Sequence, residues 1–313
     1  MVRDLLLFSA MSQPRVVLPD STVFVSRRTL RRHHLFRPDA EMTQLYLYAL
    51  AVCARKYSLL VHAVVLMSTH EHFVATDVRG VLPEFLQDFH RLIALGTKAL
   101  RKWEGSVWDS GRPSVVRLLS REAIVEKIAY CMANPVAAGL VREARAWPGV
   151  TTQVSDLGTK VFRAKRPSFF FDEDNAQWPE EAELALTLPT MPESDCSAEE
   201  FRSGVAEELG RLESEARAEA REKGRSFLGR ERVLAVSPYR RAKSFEEIRQ
   251  LNPTFAVGRG NKELRLSVIQ ELREFRDHYR AALERWREGL RTLFPPGTWW
   301  MHFFHGAPVG SLL

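Results

Sequence analysis

Residues 64–75 read Val64-Val65-Leu66-Met67-Ser68-Thr69-His70-Glu71-His72-Phe73-Val74-Ala75. The apolar run up to Met67 predicts the end of a buried strand, and the residues from His70 onward predict a second strand after a short turn. Side chains alternate between the two faces of a strand, so His70 and His72 are expected on the same face, a few ångströms apart. Two neutral imidazoles so placed can bind one divalent ion, although two half-buried histidines at a strand edge would give the same pattern.

A second motif lies downstream, in residues 120–141. Ser120 is typical of a helix N-cap, and Pro135 predicts the end of that helix. Tyr130 and Asn134 are then one turn apart on the same helix face. From the residues alone, Tyr130 is either a nucleophile or a core residue, and Asn134 is either a metal ligand or a cap before Pro135.

The two motifs, Met-x-x-His-x-His and then Tyr-x-x-x-Asn-Pro-Val-x-x-Gly-Leu-Val, together resemble those of the single-tyrosine HUH transposases. That family includes insertion-sequence transposases and REP-associated tyrosine transposases, and the likeness covers about residues 15–150. The resemblance implies that Tyr130 attacks single-stranded or hairpin DNA and keeps its 5′-phosphate. It also implies a Mg²⁺ or Mn²⁺ ion on His70 and His72, with Asn134 as the third ligand. Some insertion-sequence relatives exchange the tyrosine helix between subunits, so the resemblance is also compatible with a homodimer.

Glu71 departs from the family pattern, which has a hydrophobic residue between the histidines, and Met67-Ser68-Thr69 stands where Met-Pro-Asn is usual. On a strand, Glu71 faces away from the histidines, where a buried carboxylate needs an arginine or lysine partner or a wetter environment. If Glu71 is merely tolerated on that face, Glu71→Val should keep activity and add stability. If Glu71 instead bends back to serve the metal, the same substitution should cost metal affinity as a histidine substitution does. Two alternatives stay open: a DNA-binding protein that has lost strand transfer, and a His-x-His hydrolase or nucleic-acid-binding protein unrelated to transposition.

The order of predicted elements indicates an α+β fold. Strands are predicted at 22–27, 59–66, 70–77 and 114–119, and helices begin at 38, 82 and 120. This order is that of a ferredoxin-like split βαβ sandwich with an antiparallel four-stranded sheet. The resemblance implies the same fold.

Charge is distributed unevenly along the chain, whose net charge is +6. Residues 1–150 carry 20 Lys/Arg and 13 Asp/Glu, residues 151–220 carry 7 and 16, and residues 221–262 carry 11 and 4. The two basic blocks are expected to attract phosphate backbones. The densest cluster surrounds His33 and His34 and provides our candidate DNA-binding residues: Arg27, Arg28, Arg31, Arg32 and Arg37.

Composition predicts three parts: a transposase-like domain at 15–150, an acidic linker at 151–196, and a mainly helical region at 197–313 with a basic segment at 225–261. No apolar run is long enough for a signal peptide or a membrane span, so no membrane partner is expected. Cys53, Cys131 and Cys196 are too widely spaced for a disulfide framework or a zinc ribbon. These features predict a cytoplasmic, nucleoid-associated protein.

Overall fold

The structure, a computed structural model, describes residues 14–190, 196–243 and 253–311. The chain forms two compact units. The first spans Asp20–Arg259, and the second combines residues 14–19 with 260–311. The predicted site residues all belong to the first unit.

The first unit begins with the predicted order of elements. They are β1 (Ser21–Arg28), α1 (Ala40–Tyr57), β2 (Leu59–Met67), β3 (His70–Asp77), α2 (Leu82–Arg101), β4 (Ser114–Leu118) and α3 (Arg121–Ala137). The four strands lie in the order β2-β3-β1-β4, and each neighbouring pair is antiparallel. The predicted ferredoxin-like α+β fold is therefore confirmed.

The two faces of this sheet carry separate hydrophobic cores. Phe73 of β3 packs with residues of α1 and α2 such as Leu45 and Phe89, whereas Val74 packs with residues of α3 such as Ile128. Consecutive β3 side chains therefore point to opposite faces, as the two-residue period requires. The histidines share the face of Val74, which is the face that α3 covers.

Helix α3 does not end at Pro135, so that prediction was wrong. Ser120 caps its start by accepting a hydrogen bond from the Ala123 amide, but the helix runs through Pro135 to Ala137. Proline loses only one main-chain hydrogen bond, and burial of Pro135 and Val136 in the core favours another turn. The chain leaves the helix at Gly139, whose φ of +69° suits glycine.

The region after residue 150 differs from the predicted division of the chain. Strands β5 (Val161–Lys165) and β6 (Glu181–Ala185) form a two-stranded sheet within the predicted acidic linker. Ala164, Ala182 and Leu184 join the core around α1, whereas the acidic side chains between them are exposed. This alternation lets an acidic segment pack onto the domain rather than act as a spacer.

Two further elements complete the first unit around α3. Helix α4 (Ala198–Glu222) packs on α3 and buries Phe201 and Val205, and a short helix α5 (Arg230–Ala235) follows it. Strand β7 (Phe255–Ala256) extends the sheet by pairing in parallel with β4. The predicted basic segment 225–261 lies partly outside the described residues, because 244–252 fall in a gap.

The second unit is mainly helical. It contains α6 (Lys262–Arg287) and α7 (Trp300–His305). Ala282 of α6, Met301 of α7 and Phe294 between the helices form a small hydrophobic core. The C-terminal region is thus helical as predicted, although the predicted region 197–313 is divided between the two units. In the described ranges, every helix is too short or too polar to cross a lipid bilayer.

Candidate active site

The two histidines stand at the start of β3, in the register that their spacing predicts. His70 pairs with Arg28 of β1, and His72 pairs with Ser26. Their ring centroids are 4.7 Å apart. Because both side chains project from the face covered by α3, the rings lie beside the helix that carries Tyr130.

Tyr130 contacts His72 of this pair within a single chain. Its ring centroid is 5.4 Å from that of His72 and 5.8 Å from that of Phe24, which stacks on His72 at 5.2 Å. The Tyr130 side chain is 39% exposed, in contrast to its buried neighbours Ala129 and Cys131. The tyrosine therefore lies at the rim of the core, where a large substrate can reach it.

Asn134 lies one turn after Tyr130 and faces His70. Its side-chain oxygen Oδ1 accepts a hydrogen bond of 2.9 Å from Nε2 of His70, while the Thr69 hydroxyl lies 3.0 Å from Nδ1 of the same ring. Two neighbouring ligands about 2.1 Å from one ion, at about 90°, would be about 3.0 Å apart. The separation of Asn134 Oδ1 and His70 Nε2 therefore fits two ligands of one divalent ion.

His72 is buried and has a polar atom without a partner. Its Nδ1 makes no hydrogen bond among the described residues, and the side chain is only 6% exposed. Burial lowers the pKa of His72 well below its usual value, and the positive charges of His70, Arg28 and Lys127 lower it further. The ring is therefore neutral at physiological pH, which is the form that binds metal ions.

Within the described residues, no group of three His, Cys, Asp or Glu side chains could hold a metal ion. A site built on His70 and His72 thus needs an amide, solvent or phosphate oxygen to complete it. Two imidazoles and one amide oxygen suit Mn²⁺ or Zn²⁺ better than Mg²⁺, which prefers oxygen ligands.

Lys127 belongs to the site although the sequence motifs did not identify it. Its Nζ atom is 5.4 Å from the ring centroid of Tyr130 and 5.3 Å from that of Phe24. It precedes Tyr130 by three residues on α3, a spacing that places the two side chains on the same helix face. The three-residue spacing from Tyr130 could have identified Lys127 from the sequence. It places a cation where a phosphate bound at Tyr130 would lie.

Glu71 lies on the opposite face of the sheet and is fully buried. Its Oε1 accepts a hydrogen bond of 2.6 Å from Nε2 of His90 on α2. Burial lowers the pKa of His90 although Glu71 opposes this shift, so the imidazole is neutral and donates its Nε2 proton. The sequence led us to expect either an arginine or lysine partner or a wetter environment. The hydrogen-bond partner is a histidine, and Arg27, the cross-strand neighbour of Glu71, adds a favourable charge interaction.

The predicted DNA-binding arginines fall into three settings. Arg28, Arg31 and Arg32 lie on the surface near the start of β3, with Arg28 and Arg31 the more exposed. Arg27 pairs with Glu71 across the strands and places its guanidinium carbon 4.8 Å from the centre of the Trp108 ring, on the opposite sheet face. Arg37 forms an ion pair of 2.9 Å with Asp39.

Comparison with known proteins yields matches to solved structures alone: no protein-family model and no curated protein matches the chain. A REP-associated tyrosine transposase bound to a REP hairpin is 17% identical over 47% of this chain and 84% of that chain, with a TM-score of 0.40. A candidate transposase from Deinococcus radiodurans is 18% identical over 34% of this chain and 85% of that chain, with a TM-score of 0.27. Both likenesses are too distant to assign an activity, so the function has to be argued from the site.

Proposed function

We propose that this protein is a metal-dependent endonuclease and strand transferase that acts on single-stranded DNA through Tyr130. The observation that supports this best is the meeting of Tyr130 with His72, and of His70 with Asn134, on one sheet face of one chain. These are the residues that the resemblance to single-tyrosine transposases selects. An exchange of the tyrosine helix between two subunits is not needed to assemble them.

In the proposed reaction, the Tyr130 oxygen attacks a backbone phosphorus and the bond from phosphorus to the 3′-oxygen breaks. The phenol loses its proton to solvent, and the departing 3′-oxygen takes one up. The 5′-phosphate stays on Tyr130 as an ester. The 3′-hydroxyl of another strand reverses these steps, so rejoining needs no external energy source.

His70, His72 and Asn134 would hold the divalent ion, with Mn²⁺ or Mg²⁺ as the ion implied by the resemblance. Such an ion, when bound, polarises a phosphate oxygen and stabilises negative charge on it. Free tyrosine has a pKa near 10, so it needs this kind of help at neutral pH. Lys127 contributes a positive charge beside the Tyr130 ring, which favours both phosphate binding and the charged form of the nucleophile.

The alternative of a DNA binder without strand transfer rested mainly on Glu71. That carboxylate lies on the far side of the sheet and is hydrogen-bonded to His90, so it does not enter the proposed site. Its presence between the histidines is accounted for by the packing of α2. For this reason we favour an active enzyme over the DNA-binding alternative.

The decisive experiment is to incubate the protein with random-sequence single-stranded oligonucleotides and Mn²⁺, with each end of the DNA labelled in turn. A 5′-phosphotyrosine keeps the 3′-labelled fragment on the protein in a denaturing gel and releases the 5′-labelled fragment. We expect this asymmetric adduct to form with Mn²⁺ and to vanish with a chelator. Absence of any adduct with Mn²⁺, Mg²⁺ or Zn²⁺, on linear and hairpin DNA, would reject the proposed chemistry.

Replacing His70 with alanine is expected to lower Mn²⁺ affinity by at least about 100-fold, because loss of a ligand costs more than loss of a residue that only orients one. Adduct formation should fall in parallel, while DNA binding persists. Mn²⁺ binding is measured by calorimetry without DNA. His278→Ala, an exposed histidine of α6, provides the matched control and should leave both quantities unchanged. Equal Mn²⁺ affinity in the two variants would remove His70 from the site.

A further inference from the structure

The basic loop, residues 28–34, is joined to a segment far away in the sequence. Residues 237–243 read Ser-Pro-Tyr-Arg-Arg-Ala-Lys and pair with the loop as a short antiparallel bridge between His33 and Arg241. The amide of His34 donates to the carbonyl of Arg240 at 2.9 Å, and the amide of Ala242 donates to the carbonyl of Arg32 at 3.0 Å. The two predicted basic blocks of the sequence therefore meet at one place on the first unit.

This pairing holds the basic loop in one defined conformation. Arg31 and Arg32 have φ angles of 48° and 56°, in the left-handed region that costs free energy for residues with a side chain. Main-chain hydrogen bonds from Leu30 to Val107 and from Thr29 to Thr69 fix the loop on its other side. The arginines thus project from a backbone that is already ordered, so a ligand need not order it.

The joined surface concentrates positive charge. Arg31, Arg240, Arg241 and Lys243 are all exposed, and within the described ranges no carboxylate pairs with any of the four. Arg28 and Arg32 add two further cations on the loop side. Exposed cations at this density are expected to attract a phosphate backbone and to release its counterions.

An aromatic platform lies beside these cations. The ring of Tyr239 is 54% exposed and stacks on Trp103 with 6.3 Å between centroids and 24° between planes. The Tyr239 hydroxyl donates to the carbonyl of Arg101 at 2.6 Å, which fixes the direction of the ring. Cations interleaved with an exposed, oriented ring are typical of surfaces that bind single strands by phosphate contact and base stacking.

We propose that residues 237–243 and the basic loop form one docking surface for single-stranded DNA, with Tyr239 as a base-stacking residue. This inference rests on the proposed function, to which it adds the path of the substrate. Arg28 pairs with His70 across the strands, and the amide of Thr29 donates to Thr69, so the surface begins directly beside the candidate active site. A purely apolar or acidic protein partner would not account for both the cations and the exposed ring.

The test measures binding of a fluorescent oligothymidylate strand as a function of salt, in a Tyr130→Phe background so that cleavage does not intervene. The slope of log K for binding against log salt concentration is negative. Arg240→Ala/Arg241→Ala should make it shallower by about 1.4, or about 0.7 for each lost phosphate contact. Arg55→Ala/Arg79→Ala is the matched control, because it removes the same charge from two exposed residues, one at the end of α1 and one after β3. Its slope should equal that of the parent.

Tyr239→Ala separates single-stranded DNA from other polyanions. It should weaken binding of the single strand about 10-fold and leave binding of duplex DNA unchanged, whereas Tyr239→Phe, which keeps the ring and loses only the hydrogen bond to Arg101, should weaken single-strand binding much less than Tyr239→Ala does. If the Arg240/Arg241 variant has the slope of its control, or if Tyr239→Ala weakens neither DNA form, the docking surface is refuted and a protein ligand for residues 237–243 becomes the better explanation. Because these are binding measurements, they can succeed even if no tyrosine adduct forms, so the two proposals fail independently.

Discussion

Tyr130→Phe is expected to reduce adduct formation by at least about 10³-fold, to below detection, because it deletes the only oxygen proposed to attack phosphorus. The ring is conserved in the variant, so its edge contacts with His72 and Phe24 should persist. Loss of a partly exposed hydroxyl should cost at most about 1.5 kcal/mol of stability. Affinity for single-stranded DNA should stay within a few-fold of the parent, and gel shift and denaturing-gel assays on one protein preparation measure both effects.

Tyr57→Phe is the matched control for this prediction. It also removes one tyrosine oxygen, in this case one that is hydrogen-bonded to Asp88 at the end of the sheet opposite the histidines. We expect Tyr57→Phe to lose a little stability and no activity. If Tyr130→Phe retained the adduct, the nucleophile would be another residue and the catalytic assignment would be wrong.

The elements that position the candidate site could be predicted because they depend on local periodicity. The two-residue period of β3 places His70 and His72 on one face, and the four-residue spacing of α3 places Tyr130 and Asn134 on one face. The order of strands and helices then determines which faces can meet. The expectation that these two faces meet rested on the resemblance to single-tyrosine transposases, because spacing alone does not say which sheet face α3 covers.

Features that depend on pairs distant in sequence could not be predicted. His90 meets Glu71 only after α2 has packed on the sheet, and nothing near His90 in the sequence signals a partner. In the same way, the basic loop and residues 237–243 are joined by main-chain hydrogen bonds from His34 to Arg240 and from Ala242 to Arg32, for which side-chain identity carries little signal. The continuation of α3 through Pro135 was missed because burial in the core outweighed a local helix-breaking preference.

The second large effect concerns the stability of the fold. Glu71→Val is expected to lower the free energy of unfolding by about 3 kcal/mol, because it leaves the buried Nε2–H of His90 without an acceptor. This reverses the sign of the stability effect that the sequence suggested. Hydrogen exchange of the slowest amides in β2 and β3 measures the change within the first unit. Glu71→Gln, which keeps an acceptor oxygen without the charge, should lose less.

A double-mutant cycle separates the role of Glu71 in the fold from a role in the reaction. His90→Leu in the Glu71→Val background removes the unpaired donor, so the double variant should recover most of the lost stability, with a coupling energy of about 2 kcal/mol. Because Glu71 and the histidines project from opposite faces of β3, the double variant should also form the tyrosine adduct at the parental rate. If stability returned while Mn²⁺ affinity and the adduct did not, Glu71 would have to act on the metal site, and its assignment to the core would be wrong.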